Sequence, residues 1–291
     1  MQLLENFNLK TKNTLGLESV AEYFAEINDL NDLAEALAFA RKNNLTYRFL
    51  GWGANICLVS LQVKGLTLHL NNQQWQGVDS YSPKIHLEAG DFLTKVVLDL
   101  AQVGGDWSAL AGFPSSVGGA VRGNAGTRQT IGDFLISAEV YNLNTQQIEQ
   151  WQKADFEFAY RSSQIKSHPE YLFWQGEFQV PFNDQVLELI KIEKEKRLNS
   201  QPQGLSSGCF FKNPPLSNLN PQGYGAGYFI DQCGLKGFQI GGAQVSAKHA
   251  NFLMNVQEAK GSDFAQLIQH IQTQVFLKFQ INLELEVQLI Y

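Results

Sequence analysis

The chain has 291 residues, a length typical of about two domains, and 44% of them are hydrophobic, which is enough for a sizeable core. Its formal net charge of −6 argues against nucleic acid or an anionic membrane surface as a partner, since both require a basic face. We expect neither a signal peptide nor a membrane span, because the start lacks a basic-then-apolar pattern and no apolar run approaches roughly 18 residues.

Three cysteines, Cys57, Cys209 and Cys233, are odd in number and far apart, so they do not form a disulfide framework. The five histidines and the cysteines show no metal-ligand spacing, and we therefore expect no bound metal. These features favour a reducing, cytoplasmic setting.

Helices and strands are both predicted along the first part of the chain. A helix is expected at residues 28–44, begun by Asp29 or Asn31. Its apolar face is predicted to carry Leu33, Ala36, Leu37 and Ala40. A strand at 45–50 runs into the loop "GWGAN", and a second helix at 91–105 is predicted to bury Leu93, Val96, Val97 and Leu100.

Strands resume after a glycine-rich segment and are followed by a charged helix. Strands are predicted at residues 137–144, 146–151 and 171–180. A charged helix is predicted at 183–203, and its end indicates a domain boundary near 195–203. The last part is predicted to hold a short helix, a strand at 251–256, a long helix capped by Ser262, and an alternating strand at 281–291. The class is therefore α+β or mixed α/β.

The loop "GWGAN", Gly51 to Asn55, begins like a dinucleotide-binding fingerprint. The third glycine is missing, since Ile56 stands there, and no amphipathic helix opens after it. Two interpretations stay open: an ordinary turn between strands, or a loop whose backbone N–H groups face a phosphate.

The segment "GFPSSVGGAVRGNAG", Gly112 to Gly126, shows neither helical nor strand periodicity. A flexible linker would be polar, yet this segment contains Phe113, Val117 and Val121. Dense glycine and alanine suit main chain that lies against a large flat ligand, with N–H groups directed at pyrophosphate oxygens. We therefore predict a ligand site here.

Taken singly, four further residues have ordinary explanations. Arg161, Glu284 and Glu286 are typical surface residues, and Cys209 in "SGCFFKNP" is typical of a core filler.

Taken together, the motifs resemble one family across nearly the whole chain. They occur in this order: "NTLG", "GWGAN", "GFPSSVGGAVRGNAG", "YRSS", "SGCFFKNP", "AGYFIDQCGLKG", "GGAQVSAKHANFLMN" and "LELEV". The chain resembles the UDP-N-acetylenolpyruvoylglucosamine reductase (MurB) family, in its shorter subclass without an extra tyrosine-bearing loop.

The resemblance implies an α+β fold: a two-part FAD-binding region of the vanillyl-alcohol-oxidase type, followed by an α+β substrate-binding domain. The implied boundaries are residues 1–195 for the FAD-binding region, with subdomains of about 1–65 and 66–195, and residues 196–291 for the substrate domain.

The resemblance also implies the site residues. The FAD contacts are Gly51, Trp52, Gly53, Ala54, Asn55, Ile56, Gly112, Pro114, Ser115, Ser116, Val117, Gly118, Gly119, Ala120, Asn124, Ala125 and Gly126. The catalytic residues are Arg161, Cys209, in the place of a proton donor that is most often serine, and Glu286. The substrate contacts are Arg161, Lys212, Asn213 and His249.

Three positions depart from the family pattern. Trp52 stands in a loop usually made of small residues, Ala54 replaces a serine beside the cofactor, and Gln288 replaces an arginine. Because Ala54 has no hydroxyl, we expect one phosphate hydrogen bond of the family to be missing.

The implied function is NADPH-dependent, FAD-mediated reduction of the enolpyruvyl ether of a sugar nucleotide in peptidoglycan precursor synthesis, by a cytoplasmic monomer or weak oligomer. A thiol with an ordinary pKa of about 8.5 is mostly protonated near neutral pH, which suits Cys209 as the proton donor. The alternatives are another FAD oxidoreductase on the same scaffold, or an inactive homologue that binds flavin or sugar nucleotide.

Overall fold

A computed structural model describes all 291 residues and shows strands and helices mixed along the chain, which confirms the α+β class. The strands are β1 Leu3–Asn8, β2 Val20–Ile27, β3 Tyr47–Leu50, β4 Ile56–Leu58, β5 Gln62–Leu70, β6 Lys84–Glu88, β7 Leu135–Asn142, β8 Gln147–Gln152, β9 Tyr171–Gln179, β10 Ser206–Cys209, β11 Gln239–Ile240, β12 Ala243–Val245, β13 Phe252–Asn255 and β14 Gln288–Ile290.

The helices are α1 Leu30–Lys42, α2 Leu93–Gln102, α3 Val117–Gly123, α4 Ile131–Phe134, α5 Gln164–Ser167, α6 Val186–Ser200, α7 Ala226–Gln232 and α8 Gly261–Phe279. Short 3₁₀ helices occur at Lys10–Lys12, Ser108–Leu110 and Lys153–Phe156. None of the helices combines the length and the apolar character that crossing a bilayer requires.

The chain divides into two compact units, each assembled from separate segments. The first unit comprises Met1–Leu3, Ala25–Trp52 and Thr67–Arg197, and the second comprises Leu4–Phe24, Gly53–Leu66 and Leu198–Tyr291. The predicted domain boundaries stay a prediction.

The first unit contains an antiparallel sheet in the order β6-β9-β7-β8. Trp107 is fully buried beside this sheet, with ring centroids 5.2 Å from Phe134 and 5.6 Å from Phe178. Its indole N–H donates to the Gln179 carbonyl at 3.1 Å, so the polar atom of this core side chain is satisfied.

Helices α1 and α2 of the first unit match their predictions. Leu33, Ala36, Leu37 and Ala40 of α1, and Leu93, Val96, Val97 and Leu100 of α2, are buried. The Asp29 carboxylate accepts the Asp32 backbone N–H at 2.8 Å and so caps α1, which settles the choice between Asp29 and Asn31.

The second unit contains an antiparallel sheet in the order β10-β13-β12-β11, against which α8 packs. The prediction that Ser262 caps α8 is wrong. Lys260 is the cap residue, and its backbone N–H donates to the Asp263 carboxylate at 2.9 Å. A carboxylate one turn into the helix satisfies the first donor better than the exposed Ser262.

The predicted strand at 281–291 is correct in part of its alternation, since Leu285 and Leu289 are only partly buried and Ile290 of the opposite face is buried, and it is wrong in its extent. Ile281, Leu283 and Val287 are buried, whereas Asn282, Glu284 and Gln288 are exposed. Regular pairing is confined to β14, parallel to β4, because Leu285 forms only an isolated bridge with Phe211. The remaining strands form a sheet in the order β1-β2-β5-β3.

Candidate active site

The residues implied by the resemblance are distributed over both units. The first unit holds Gly51, Trp52, the segment Gly112–Gly126 and Arg161, and the second holds Gly53–Ile56, Cys209, Lys212, Asn213, His249 and Glu286.

The loop "GWGAN" connects β3 to β4, and its first half lies against the glycine-rich segment. A Cβ atom on Gly51 would lie 2.5 Å from the Ser116 hydroxyl oxygen, so only glycine permits this approach. Trp52 donates its indole N–H to the Gly90 carbonyl at 3.2 Å and packs on Phe92 with ring centroids 4.5 Å apart. Two of the predicted FAD-binding segments therefore meet within the first unit.

The glycine-rich segment contains a short helix, which corrects the expectation that it has no helical periodicity. Ser116 caps α3 by accepting the Gly119 N–H at 3.1 Å, and Val117, Ala120 and Val121 form its buried face. The spacing of these three residues is helical, but the intervening glycines hid the pattern in the sequence.

Close packing fixes the start of α3. The Val117 N–H donates to the Asp91 carbonyl and the Gly118 N–H to the Ala89 carbonyl, both at 2.9 Å. A Cβ atom on Gly118 would lie 2.9 Å from the Ala89 Cβ, so the helix approaches its neighbour through glycine.

The first unit fits the main-chain surface that a flat cofactor requires. Gly112, Pro114 and Gly119 are exposed, and a Cβ atom on Gly123 would have open space around it. No bulky side chain projects from these positions themselves, but the Arg197 side chain lies against Gly112, where a Cβ atom would be 3.1 Å from its Cδ. Asn124 has a structural role, since its amide donates to the Ala159 carbonyl and accepts the Gly132 N–H, and its predicted FAD contact stays a prediction. It holds the segment in place.

Arg161 lies at the end of the same segment. Its guanidinium Nη1 donates to the Gly126 carbonyl at 3.0 Å, and its Cζ lies 5.6 Å from the centre of the Tyr160 ring. Its φ of 55° is left-handed, a conformation that costs about 1–2 kcal/mol for a residue with a side chain and often marks functional sites.

The second half of the loop is held by hydrogen bonds from two other segments of the second unit, for which the sequence predicted no contact with the loop. The Thr14 N–H and hydroxyl both donate to the Gly53 carbonyl, and the Ser207 hydroxyl donates to the Ile56 carbonyl at 3.0 Å. The motifs "NTLG" and "SGCFFKNP" therefore support the backbone of this loop.

We predict that Gly53→Ala destabilises the second unit far more than the matched change Gly234→Ala. Both glycines have left-handed backbone, with φ of 64° and 72°. A Cβ atom would have open space at Gly234 but would lie 2.0 Å from the Lys12 carbonyl oxygen at Gly53. Gly234→Ala should cost about 1–2 kcal/mol of unfolding free energy for the conformation alone.

Gly53→Ala should cost roughly 1–3 kcal/mol more because of the overlap, as measured by denaturant unfolding. Equal losses for the two variants would show that the loop relaxes freely around residue 53.

Cys209 and Glu286 lie on adjacent backbone segments of the second unit. The Glu286 N–H donates to the carbonyl of Phe210, the residue after Cys209, at 2.8 Å. Asn55 joins the loop to the segment that carries Glu286. The Asn55 side-chain amide donates to the Glu286 carbonyl at 3.1 Å, and the Asn55 carbonyl accepts the Gln288 N–H. The structure thus brings together two of the three predicted catalytic residues and half of the predicted FAD loop.

The environment of Cys209 differs from that of the core cysteine Cys57. Cys57 is fully buried, and burial raises the pKa of its thiol to about 12. Cys209 is only partly buried, and a Cβ atom on Gly208 beside it would have open space. The pairing of β10 with β13 shifts register between Ser206 and Cys209, an irregularity that redirects side chains.

Three expected substrate residues lie in the second unit. The Lys212 ammonium pairs with Glu284 at 3.1 Å. Asn213 accepts the Ala226 N–H at 3.1 Å and so attaches the start of α7. His249 accepts the Asn251 N–H on its Nδ1 at 3.2 Å, which leaves Nε2 as the donor of a neutral ring.

We predict that stability falls with acidification because of His249. Burial lowers the pKa of this imidazole below its ordinary value of 6.5, with a smaller lowering by the charge of Lys236. Below pH 6.5 the unfolded chain therefore binds more protons at this position than the folded chain does, and the folded state loses stability. His249→Gln should reduce the slope of unfolding free energy against pH between 6.5 and 5.5. An unchanged slope would exclude His249 as the titrating group.

Comparisons with known proteins agree with this geometry. An FAD binding domain family matches residues 21–149, and the C-terminal domain of UDP-N-acetylenolpyruvoylglucosamine reductase matches residues 201–290. The matched FAD domain and the matched reductase domain define the chain as an FAD-binding oxidoreductase.

Relatives with the same name extend over nearly the whole chain. The UDP-N-acetylenolpyruvoylglucosamine reductase of Prochlorococcus marinus is 33% identical over 98% of this chain and 96% of its own length. That of Chlamydia felis is 33% identical over 97% and 92%. The crystal structure of MurB from Thermus caldophilus superposes with a TM-score of 0.81 at 28% identity, covering 100% of this chain and 98% of that one.

The chain belongs to the UDP-N-acetylenolpyruvoylglucosamine reductase family. The expected family, fold class and FAD cofactor are thereby confirmed, whereas the individual site residues and the shorter subclass stay predictions.

Proposed function

We propose that this enzyme reduces the enolpyruvyl ether of UDP-N-acetylglucosamine-enolpyruvate to UDP-N-acetylmuramate with NADPH, a step in peptidoglycan precursor synthesis. One observation carries the proposal to the level of residues. The Glu286 backbone N–H donates to the carbonyl of Phe210, the residue after Cys209. The Glu286 carbonyl accepts the side-chain amide of the loop residue Asn55. These bonds support a thiol proton donor and a carboxylate carried on adjacent backbone segments beside the cofactor loop, which is what a reduction that ends in proton transfer requires.

The reaction needs a hydride, charge stabilisation and a proton. When bound, FAD supplies the methylene carbon of the enolpyruvyl group with a hydride that originates from NADPH. Negative charge then develops on the adjacent carbon and its carboxylate. Arg161 stabilises this charge, and Glu286 orients the carboxylate.

Cys209 completes the reduction. Its Sγ–H donates a proton to the carbon that carries the negative charge, and the thiolate regains a proton from solvent. The partial exposure of Cys209 and the open space beside Gly208 support this role, because a donor must reach both substrate and water. One NADPH and one proton are consumed for each product molecule.

The reaction belongs in the cytoplasm, where NADPH is available and thiols stay reduced. With a net charge of −6, the protein must hold an anionic substrate through local N–H groups and a few placed cations, and the charge argues against nucleic acid as a partner. We propose a monomer or weak oligomer.

The test is anaerobic stopped-flow absorbance of the holoenzyme. NADPH alone should bleach the visible flavin band, and UDP-N-acetylglucosamine-enolpyruvate should restore it with formation of one equivalent of UDP-N-acetylmuramate. In D₂O the product should carry solvent deuterium at the carbon protonated by Cys209, and also at the methylene carbon, because the hydride held by reduced flavin exchanges with solvent before substrate is added. Bleaching without return would reject this substrate and favour another FAD oxidoreductase, and no bleaching would favour an inactive homologue.

A further inference from the structure

Two tyrosines of the second unit form an exposed aromatic stack that the proposed chemistry does not use. The rings of Tyr224 and Tyr228 are nearly parallel, at 16°, with centroids 3.9 Å apart. They remain 41% and 39% exposed, so part of the stack is open to a ligand.

The stack is held rigidly. Asn220 is almost fully buried, and its side chain accepts the Tyr224 N–H at 2.8 Å. Its amide nitrogen donates to the carbonyls of Pro214, Pro215 and Tyr224. Phe229 also packs edge-on against Tyr228, with centroids 5.4 Å apart. A preorganised aromatic surface loses little entropy when a ligand binds to it.

The segment between the tyrosines contacts two of the expected substrate residues. A Cβ atom on Gly225 would lie 2.7 Å from the Asn213 amide oxygen, and one on Gly227 would lie 3.3 Å from the His249 ring. Glycines therefore allow the chain between the two rings to pack directly against Asn213 and His249. The stack borders the part of the second unit where the sugar nucleotide is proposed to bind.

We propose that Tyr224 and Tyr228 form a stacking platform for the uracil ring of the sugar-nucleotide substrate. A planar base is the chemical group that stacks best on the outer face of such a pair of rings. The platform lies next to Asn213 and His249, two of the residues expected to contact the substrate. This assignment rests on the proposed function only for the identity of the base.

The test uses isothermal titration of holoenzyme with UDP and, separately, with NADP⁺, which carries adenine and nicotinamide. Tyr224→Leu and Tyr228→Leu keep apolar bulk but remove the ring, and each should raise the Kd for UDP about tenfold without changing that for NADP⁺. Tyr224→Phe and Tyr228→Phe keep the ring and should stay within about twofold of the wild type.

Phe238→Ala is the matched control. Phe238 is also a stacked, exposed ring of the second unit, at 37% exposure and 4.4 Å from His270, so its loss should leave UDP affinity unchanged. Where a leucine variant does not fold, NMR of ring-labelled tyrosine in the wild-type holoenzyme replaces it. UDP should shift two tyrosine ring signals, and N-acetylglucosamine 1-phosphate, which lacks a base, should not.

An unchanged Kd for UDP in both leucine variants overturns the proposal. Weakening of NADP⁺ alone, or equal weakening of both ligands, overturns the assignment to uracil. These outcomes are separable from those of the proposed function, because UDP binding is measured without turnover. Failure of the platform would leave the flavin absorbance cycle intact.

Discussion

Cys209→Ala is expected to lower the rate of substrate reduction by about 10²–10⁴-fold, the range for loss of a positioned general acid. The variant still places an apolar group at the end of β10 but has no proton to give to the substrate carbon. Bleaching of the flavin by NADPH needs no such donor and should proceed at the wild-type rate. Single-turnover stopped flow separates the two half-reactions.

Two variants make the result specific. Cys209→Ser restores an O–H donor at the same position and should retain measurable turnover. Cys233→Ala is the matched control, because Cys233 is also a partly buried cysteine of the second unit but lies at the end of α7. It should leave both half-reactions unchanged. If Cys209→Ala reduced the substrate at the wild-type rate, the thiol would not be the donor.

Local patterns predicted the regular elements well. Helices α1, α2 and α8 were visible because their apolar residues recur at the spacing of one helical face, and those residues are buried. Helix α3 was not visible in the sequence. Besides Val117, Ala120 and Val121 it has four residues, and three of these are glycines, so no polar face marks the opposite side of the helix. Glycine permits the close approach and at the same time removes the signal.

The supports of the site could not be predicted from local patterns. Ser207 contacts a loop residue 151 positions away in sequence, and Asn55 contacts Glu286 across 231 positions. No periodicity encodes such partners. The resemblance supplied the identities of Cys209 and Glu286, but only the structure shows that Asn55 and Ser207 attach the cofactor loop to the segments that carry them.

The position of Arg161 also depended on long-range contacts. Its motif placed it among small polar residues, where an arginine is normally a surface residue. In the structure its guanidinium contacts the last glycine of the predicted FAD segment, 35 positions earlier. The backbone of Arg161 is left-handed, which is unfavourable for a residue with a side chain. Such strain often occurs at functional sites, and this supports a functional role for Arg161.

Arg161→Lys is therefore expected to lower kcat by about 10²–10³-fold, the loss typical of removing one group that stabilises developing charge. A lysine keeps the positive charge but lacks the planar fork that can contact the Gly126 carbonyl and a carboxylate together. The left-handed conformation burdens both side chains alike, so the unfolding free energy should change little.

The measurement that identifies the role of Arg161 is the split between half-reactions. Because the arginine acts on charge in the substrate, Arg161→Lys should slow reduction of the enolpyruvyl ether and leave flavin bleaching by NADPH unchanged. Arg128→Lys is the matched control in the same unit, since Arg128 is an exposed residue paired with Glu193 at 2.9 Å, and it should not affect either step. Equal slowing of both half-reactions by Arg161→Lys would instead assign the guanidinium to organising the cofactor segment through Gly126.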